Sequence, residues 1–376
     1  MAESKKSRPG DLDSMLGDLR LRIDATDREL LRSLNDRARL VEEVGHLKQG
    51  GGASVYVPNR EREIVASLRA ANDGPFPNDG IAPVFREIIS ATRSLEESVR
   101  VAFLGPKGTF SHQAALKRFG TLADYVHVGS IREVFSAVES GRAKLGVVPV
   151  ENTSEGIVTA TFDALAEFSV PICAEVLLTI SLDLLSLSGR LEDVRTVASH
   201  PQPLAQARGW LAQRLPGAER LETASTVSAA ELAAGSSEIA AVATSTAGEV
   251  LGLQTIERGI EDRTDNATRF LVIGAGAEQP GPRDITSAVF TIRRDEPGGL
   301  HALLAPMAER GVNLTSIQLR PMPGKPWEYI FFVDLEGNRS DPKVAGAVEA
   351  AAEIAHSARV LGSFPRAERL RSYGED

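Results

Sequence analysis

A long amphipathic segment near the N-terminus constrains this chain more than any other feature. Residues 12–48 contain no proline, and only Gly17 and Gly45 interrupt residues that favour a helix. As one helix the segment would be about 55 Å long at 1.5 Å per residue, which exceeds the span of a small domain. Its apolar residues recur at helical steps of three, four and seven: Leu12, Leu16, Leu19, Ile23, Leu30, Leu34, Val41 and Val44. We name these side chains the apolar stripe and expect a partner chain to cover it.

Two further helices extend this helical region. Glycines at positions 50–52 end the first helix. The second helix is expected over residues 58–71, with proline at its first position, where proline is favoured. A turn-forming stretch at residues 73–80 separates it from a third helix over residues 81–98. The sequence thus predicts an all-α domain over residues 12–98.

The following region alternates between strand-like and helical segments. Strands are expected at residues 99–104, 145–150, 196–198, 239–243 and 270–273. Helices are expected at residues 112–119, 131–140, 203–214 and 226–234. This alternation predicts an α/β domain over residues 99–275 with substantially parallel sheets.

The last region, residues 285–365, has the order strand, helix, strand, strand, helix, strand. Its segments are residues 288–292, 300–309, 314–319, 328–334, 342–352 and 358–362. This is the βαββαβ order of ferredoxin-like domains. Residues 274–282, which are rich in Gly and Pro, are expected to be a linker. The chain is therefore predicted to be multidomain, with all-α, α/β and α+β parts.

Composition and charge exclude several kinds of partner and site. The net charge of -9 argues against a general nucleic-acid surface, because phosphate binding needs a basic face. Six His residues and one Cys (Cys173), without His-x-x-x-His or Cys-x-x-Cys spacing, predict no metal cluster and no intrachain disulfide. No apolar run reaches the roughly 18 residues of a membrane span. The polar start, MAESKKSRPGDLDS, lacks the apolar core of a signal peptide, so we expect a cytoplasmic protein.

Basic residues of the first helix form either a site or a solvated surface. Arg37 and Lys48 lie eleven positions apart, about 20° around a helix at 100° per residue, so they share one face. Arg20 lies about 100° from that face and cannot easily serve the same pocket from the same helix. A partner chain's helix could supply it. The alternative is that all three are ordinary charges on a solvated face.

Several segments together resemble the all-helical chorismate mutase family. They are LRLRIDATD at residues 19–27, Arg37, the Val44-Gly45 pair, Lys48, and YVPNRER at residues 56–62. The resemblance covers about residues 12–98. It implies an intertwined dimer in which one arginine of each active site comes from the other subunit.

The same resemblance implies how chorismate, a dicarboxylate, is bound. Arg20, Arg37 and Arg60 would surround its carboxylates, because guanidinium groups form paired hydrogen bonds with such groups. Lys48 would contact the ether oxygen, where negative charge grows as the bond breaks, and Glu61 would hold the ring hydroxyl. The rearrangement to prephenate is unimolecular, so holding the reactive conformer is a large part of catalysis.

Three positions depart from the best-known enteric version of the family. Val57 stands in place of an Asp, which removes one hydroxyl contact, and Thr92 replaces a Ser. Glu96 replaces a Gln beside the ether oxygen, and only a protonated Glu can donate a hydrogen bond there. We therefore hypothesise that burial raises the pKa of Glu96 and that the mutase works best with this group protonated.

Five short motifs follow one another in the middle region. They are GPKGTFSH at residues 105–112, VPVENTSEG at 148–156, SHPQ at 199–202, AST at 224–226 and NATRF at 266–270. The first is not a nucleotide phosphate loop, because Lys107 precedes Gly108 and no Gly-Lys-Ser/Thr follows. Together the motifs resemble the prephenate dehydratase family. This resemblance implies two α/β lobes, similar to periplasmic binding proteins, with the active site in the cleft between them.

Prephenate dehydration expels a ring hydroxyl while carbon dioxide leaves, so the enzyme needs mainly a donor at the leaving oxygen. The resemblance places Thr268 there, as a directed hydrogen-bond donor rather than a full acid. Arg269 would lie near a substrate carboxylate or form a structural ion pair, and Phe270 would pack on the ring or fill the core. Short polar groups offered to the two carboxylates are Thr109, Ser111, Asn152, Thr153, Ser154, Ser199, Gln202, Ser225 and Thr226. For His112 and His200 we expect a role in packing or at a helix start.

Segments of the last region resemble the ACT domain that is fused to these dehydratases. They are PGGLH at residues 297–301, GVNLT at 311–315, Arg320-Pro321 and WEYIFFVD at 327–334. The resemblance implies pairing across subunits and binding of phenylalanine at the interface as a feedback inhibitor. The effector-binding residues that it implies are Gly298, Gly299, Leu300, Asn313, Leu314 and Gln318. A Gln-Leu pair at 318–319 replaces the common Glu-Ser, which alters the effector motif but not the fold.

These resemblances together imply a bifunctional enzyme that uses chorismate and prephenate, needs no cofactor, responds to phenylalanine and forms a homodimer or homotetramer. The residues alone leave three alternatives: a monofunctional dehydratase with an inactive mutase domain, a dehydratase acting on arogenate, and a non-catalytic ligand sensor. The complete set of mutase charges argues against the first, and Thr268 argues against the last.

Overall fold

The structure combines a helical region, two α/β lobes and a separate antiparallel sheet. It is a computed structural model, which describes residues 9–49, 56–96, 99–276, 279–292, 297–322 and 329–367. Within these ranges no helix combines the length and the apolar character needed to cross a membrane. The glycines at 50–52, which were expected to end the first helix, lie outside the described residues.

The helical region has the three helices that the sequence predicts. They are α1 (Pro9–Gln49), α2 (Pro58–Ala71) and α3 (Asn78–Glu96). The bounds of α2 match the prediction, because Val57 is extended and Pro58 begins the helix. α3 begins three residues before its predicted start, because residues 78–80 form its first turn, where backbone amides need no acceptor within the helix. Members of the apolar stripe stay uncovered in one chain: Ile23 is 59% and Leu30 57% exposed.

The middle region forms two α/β lobes, as predicted. The first contains β1 (Arg100–Leu104), α4 (Phe110–Phe119), β2 (Asp124–Val128), α5 (Ile131–Glu139), β3 (Leu145–Asn152), β4 (Gly156–Ile157), α6 (Thr159–Glu167) and β5 (Ile172–Thr179). The second contains β6 (Asp183–Ser186), β7 (Thr196–Ser199), α7 (Pro201–Gln206), α8 (Arg208–Arg214), β8 (Glu219–Glu222), α9 (Thr226–Ala234), β9 (Ile239–Ala243), α10 (Ser245–Leu251) and β10 (Gln254–Glu257). The chain then returns to the first lobe as β11 (Ala267–Gly274).

The two sheets are mixed, so the prediction of substantially parallel sheets was only partly right. Their orders are β2-β1-β3-β11-β5, with β4 beside β3, and β10-β6-β9-β7-β8. In the first sheet β11 is antiparallel to β3 and β5, and the two-residue β4 is antiparallel to β3. In the second sheet β6 is antiparallel to β9 and β10. Both β6 and β11 come directly after a connection between the lobes. Each connection between the lobes begins at the carboxyl-terminal edge of one sheet. The strand that follows it, β6 or β11, therefore starts at the carboxyl-terminal edge of the other sheet and runs antiparallel to its neighbours.

The helix predicted over residues 203–214 is divided into α7 and α8. The Asp262 carboxylate accepts hydrogen bonds from the backbone amides of Gly209 at 2.8 Å and Trp210 at 3.0 Å. These bonds satisfy amides in the first turn of α8, so that helix has its own start. Asp262 lies in the passage from β10 to β11, far away in sequence, which is why a local pattern could not reveal the break.

The last region has the predicted βαββαβ order. Its elements are β12 (Asp284–Thr291), α11 (Gly299–Glu309), β13 (Leu314–Pro321), β14 (Tyr329–Glu336), α12 (Pro342–Ile354) and β15 (Ser357–Pro365). The sheet is antiparallel throughout, in the order β13-β14-β12-β15. One face packs against α11 and α12, and the other packs against the first lobe, where the Phe162 and Phe332 rings lie 5.1 Å apart.

Candidate functional site

The two connections between the lobes bring the carboxyl-terminal ends of strands from both sheets to one cleft. In the first lobe Asn152 ends β3 and Thr268 is the second residue of β11, while in the second lobe Ser199 ends β7. The lobes touch here, because Thr244 Oγ1 donates to the carbonyl oxygen of Gly108 at 2.6 Å. Ligands of open α/β sheets bind in crevices at the carboxyl ends of the strands. This cleft is therefore the candidate active site.

Thr268 and Asn152 are paired across β11 and β3. Asn152 Nδ2 donates to Thr268 Oγ1 at 2.8 Å and to Asn266 Oδ1 at 3.0 Å. The orientation of this amide is determined, because Asn152 Oδ1 accepts from the backbone amides of Ser154 at 2.8 Å and Glu155 at 3.0 Å. Thr268 Oγ1 is thus the acceptor toward Asn152. Its own hydrogen is left to donate to a ligand.

Further polar groups lie beside this pair or where the two lobes touch, and sequence reasoning missed two of them. Thr153 Oγ1 accepts from the backbone amide of Ala267 at 3.0 Å and lies 3.3 Å from Asn266 Oδ1, and both Thr153 and Ser154 are exposed. The missed residues are Asn266 and Thr244, both buried. Asn266 opens the NATRF motif and Thr244 directly follows β9, so a position at a strand end was the signal that could have identified them.

The turn after β1 leads into α4, and its polar groups mainly hold the turn together. Gly108 has a φ of +93°, a left-handed conformation that favours glycine. Thr109 Oγ1 caps α4 by accepting from the backbone amide of His112 at 3.3 Å. His112 Nδ1 accepts from the backbone amide of Gly108 at 3.1 Å, and its ring stacks on Phe103. Burial, helped by nearby basic groups, lowers the pKa of His112 to about 4. The expected packing role of His112 is confirmed.

In the second lobe the hydroxyl of Ser199 already has a partner. Ser199 is fully buried, and its Oγ donates to the carbonyl oxygen of Val242 at 2.5 Å. His200 Nδ1 accepts from the backbone amide of Gln202 at 3.4 Å and so caps α7, which confirms its expected role at a helix start. The structure therefore directs Ser199 into the sheet rather than into the cleft.

Ser225 likewise serves a helix start. Its Oγ accepts from the backbone amide of Ser228 at 3.0 Å and caps α9, whose first residue is Thr226. Within the described ranges, four of the side chains predicted to bind prephenate make no hydrogen bond and are available to a ligand. They are those of Ser111, Ser154, Gln202 and Thr226.

Arg269 points away from Thr268, because successive residues of a strand face opposite sides of the sheet. Its Nε lies 2.7 Å from Glu175 Oε2 and its Nη1 2.7 Å from Asp334 Oδ2. Burial alone lowers the pKa of Arg269, but the Asp334 and Glu175 carboxylates outweigh it and raise the pKa above its usual value. Of the two predicted roles, the structure thus shows the structural ion pair rather than a contact with substrate. Phe270 is in the core, 1% exposed.

The helical region brings together only part of the predicted mutase site within one chain. Arg37 of α1 donates to the hydroxyl of Thr92 on α3, which is buried. Arg20 is exposed, and the exposed Arg60 lies 3.4 Å from Glu63 one turn along α2. Two predicted side chains lie outside the described part of the structure: those of Lys48 and Glu96.

Glu61 of α2 is held by two guanidinium groups. It forms ion pairs with Arg93 of α3 and, at 2.7 Å, with Arg118 of α4 in the first lobe. All three side chains are largely buried. Sequence reasoning had assigned Glu61 to the substrate hydroxyl and did not identify Arg93 or Arg118, since neither belongs to a motif.

The predicted effector residues lie on two elements of the antiparallel sheet domain. Gly298, with a φ of +82°, precedes Gly299, the first residue of α11, and Leu300 is exposed. On β13 Gln318 faces the first lobe, whereas Leu314 packs against the core on the side of α11 and α12, because the register of the strand shifts between Leu314 and Ser316. Asn313 is exposed just before the strand.

Family models match the chain in three consecutive segments. They are chorismate mutase type II over residues 19–97, prephenate dehydratase over residues 101–278 and the ACT domain over residues 287–353. A bifunctional chorismate mutase/prephenate dehydratase of Aquifex aeolicus is 44% identical over 94% of this chain and 98% of its own length. The chain belongs to the bifunctional chorismate mutase/prephenate dehydratase family. It is thus an isomerase and a lyase in one polypeptide, followed by an ACT domain.

Two solved structures are similar in fold to most of this chain. A prephenate dehydratase of Arthrobacter aurescens in complex with L-Phe is 33% identical, with a TM-score of 0.65 over 71% of this chain and 90% of that chain. GqqA, described as a quorum quenching acylase, is 29% identical with the same TM-score over 71% of this chain and 97% of that chain. Membership of the bifunctional family favours two activities over an inactive mutase domain or a sensor.

Proposed function

We propose that this bifunctional enzyme converts chorismate to prephenate and then prephenate to phenylpyruvate, with loss of water and carbon dioxide, in phenylalanine biosynthesis. The mutase domain would span residues 12–98, the dehydratase domain residues 99–275 and the ACT domain residues 285–365. The observation that carries the dehydratase half is the Asn152–Thr268 hydrogen bond at the junction of the lobes. It leaves one directed hydroxyl donor at the place where the strand ends meet.

In the dehydratase cleft, Thr268 donates a hydrogen bond to the ring hydroxyl of prephenate, which departs as hydroxide and takes up a proton from solvent to form water. The carbon–oxygen bond breaks as the ring carboxylate leaves as carbon dioxide, and the electron pair of the broken carbon–carbon bond completes the aromatic ring. A threonine hydroxyl is a weak acid, so its contribution is orientation and charge stabilisation at the leaving oxygen. Short polar groups near the cleft bind the substrate carboxylates: Ser111, Thr153, Ser154, Gln202 and Thr226.

In the mutase domain, Arg37, Arg60 and a partner's Arg20 bind the two carboxylates of chorismate. Lys48 and Glu96 face the ether oxygen, Thr92 fixes Arg37, and Glu61 accepts from the ring hydroxyl. This arrangement requires two chains, because Arg20 lies about 100° from the face that carries Arg37. The exposed members of the apolar stripe on α1 support the same requirement, because a partner chain would remove these apolar side chains from water.

We infer a homodimer or homotetramer built on α1. Replacing Leu30 and Leu34 together by Asp should yield a smaller species in sedimentation velocity and abolish mutase activity. Prephenate dehydration should persist if the lobes fold without that contact. An unchanged sedimentation coefficient would contradict the assignment of this surface.

The ACT domain makes phenylalanine the proposed effector. The crystallised relative of Arthrobacter aurescens carries L-Phe, and Gly298 provides an open turn at the start of α11. Equilibrium dialysis of the full chain with phenylalanine tests this proposal directly. Absence of binding at millimolar phenylalanine would refute it.

The function itself is tested by incubating the purified chain with chorismate while following phenylpyruvate. Phenylpyruvate should form without any added cofactor. Prephenate accumulating alone would refute the dehydratase half, and no loss of chorismate would refute the mutase half. Arogenate supplied in place of prephenate decides the substrate preference.

A further inference from the structure

A cluster of charged side chains joins the mutase helices to the first dehydratase lobe. Glu61 Oε2 lies 2.7 Å from Arg118 Nη1, and the Glu61 carboxylate also contacts the Arg93 guanidinium. The side chains of Glu61, Arg93 and Arg118 are only 16%, 11% and 20% exposed. Glu61 and Arg93 fall in the segment matched by the mutase model, and Arg118 in the segment matched by the dehydratase model.

Tyr56 also contacts Arg118. Arg118 Nε donates to Tyr56 Oη at 2.7 Å, and the Arg118 guanidinium carbon lies 5.2 Å from the centre of the Tyr56 ring. Tyr56 is fully buried and packs against Phe119, the residue after Arg118, with ring centres 5.4 Å apart. Burial raises the pKa of Tyr56 to about 12, so its phenol stays neutral and can accept from the guanidinium. Arg118 is therefore held by a hydrogen bond and a cation–π contact with Tyr56, in addition to its ion pair with Glu61.

The same cluster is one residue away from the predicted chorismate pocket. Thr92, which accepts from Arg37, and Arg93, which binds Glu61, are consecutive in α3. Consecutive helical residues point about 100° apart, so α3 presents Thr92 to α1 and Arg93 to α2. The orientation of Glu61 is thus connected to both the pocket and the dehydratase lobe.

We propose that Arg118, from the dehydratase domain, positions the Glu61 carboxylate of the mutase domain for the ring hydroxyl of chorismate. This inference rests on the proposed role of Glu61 in the mutase. An ionised carboxylate offers about four lone-pair sites, so contacts with two guanidinium groups leave capacity for a hydroxyl donor. Without Arg118, Arg93 is the one guanidinium group among the described residues that still pairs with the carboxylate. The mutase site is therefore completed by a residue of the domain that carries out the next reaction.

The experiment compares Arg118→Met, Arg118→Lys and Arg62→Met in the full-length enzyme. Arg62 also joins α2 to the rest of the chain, through Asp284 at 4.0 Å, and within the described residues its side chain forms no ion pair with the side chain of its neighbour Glu61. For Arg118→Met the KM for chorismate should rise about tenfold, because a charge-assisted hydrogen bond is lost. The kcat should change less, since the ring hydroxyl gains no charge in the transition state. Lys should restore part of the affinity, and Arg62→Met should keep the KM of the wild type.

Dehydration of added prephenate is measured for every variant, to separate misfolding from mispositioning. A double variant completes the test: in a Glu61→Gln background, Arg118→Met should raise the KM no further. The inference is overturned if Arg118→Met leaves the KM unchanged while Glu61→Gln raises it, or if Arg62→Met raises the KM equally. A wild-type enzyme that does not consume chorismate would instead refute the proposed function. A Glu61→Gln substitution that leaves the KM for chorismate unchanged would refute both the role of Glu61 and that of Arg118.

Discussion

Arg269 Nη1 lies 2.7 Å from Asp334 Oδ2, and this ion pair fastens β11 of the dehydratase sheet to β14 of the ACT sheet. The Arg269 Nε atom makes a second ion pair with Glu175 on β5 at 2.7 Å. Thr268, the proposed donor in the cleft, is the preceding residue of the same strand. We therefore expect a movement of the ACT sheet to be transmitted through Arg269 to the strand that carries the proposed donor.

Replacing Arg269 by Met should lower the free energy of unfolding by about 3 kcal/mol, because two largely buried carboxylates lose their cation. Urea denaturation at neutral pH measures this change. The matched control is Arg263→Met, since the Arg263–Asp265 ion pair is 78% and 70% exposed and should contribute nothing measurable. Equal effects of the two substitutions would show that the Arg269 network does not stabilise the fold.

Replacing Asn152 by Asp should lower the kcat for prephenate dehydration about 100-fold. The new carboxylate would accept the Thr268 hydroxyl hydrogen, which is then unavailable to the leaving oxygen. Thr268→Val should have an effect of the same size, whereas Thr268→Ser should retain most of the activity. Steady-state kinetics with prephenate measure all three. The mutase rate on chorismate serves as an internal control, and a fully active Asn152→Asp enzyme would exclude the proposed geometry.

Neutral His112 should contribute to stability at neutral pH and lose that contribution in acid. Its pKa in the folded state is lowered to about 4, below the value of about 6.5 for an unfolded chain. Between these values the unfolded state binds more protons, so stability is complete above about pH 6.5 and falls as pH drops toward 4. The melting temperature of His112→Asn should therefore change less between pH 7 and 4.5 than that of the wild type. The exposed His356→Asn should behave like the wild type, and parallel curves for all three would contradict the lowered pKa.

Glu96 should make the mutase more active at lower pH, because only its protonated form can donate a hydrogen bond to the ether oxygen of chorismate. The pH–rate profile of the wild type should fall as this group ionises. The profile of Glu96→Gln should stay flat over the same range, since an amide donates at any pH. Two identical profiles would rule out a role for protonated Glu96.

The sequence by itself determined the elements whose signals are local. α2 (Pro58–Ala71), α9 (Thr226–Ala234) and β9 (Ile239–Ala243) have their predicted bounds, because proline, capping serine and short apolar runs act over a few residues. The βαββαβ order of the ACT domain and the family resemblance also came from local patterns and ordered motifs. His112 and His200 could be assigned to packing and capping for the same reason.

Only the tertiary structure decided which partners the charged and polar side chains take. The break between α7 and α8 depends on Asp262. Arg269 forms its ion pairs with Glu175 and Asp334, and the position of Glu61 depends on Arg118. These partners are separated by many residues in the chain. Periodicity and spacing report which face a residue occupies, but a hydrogen bond or ion pair depends on what the folded chain brings to that face.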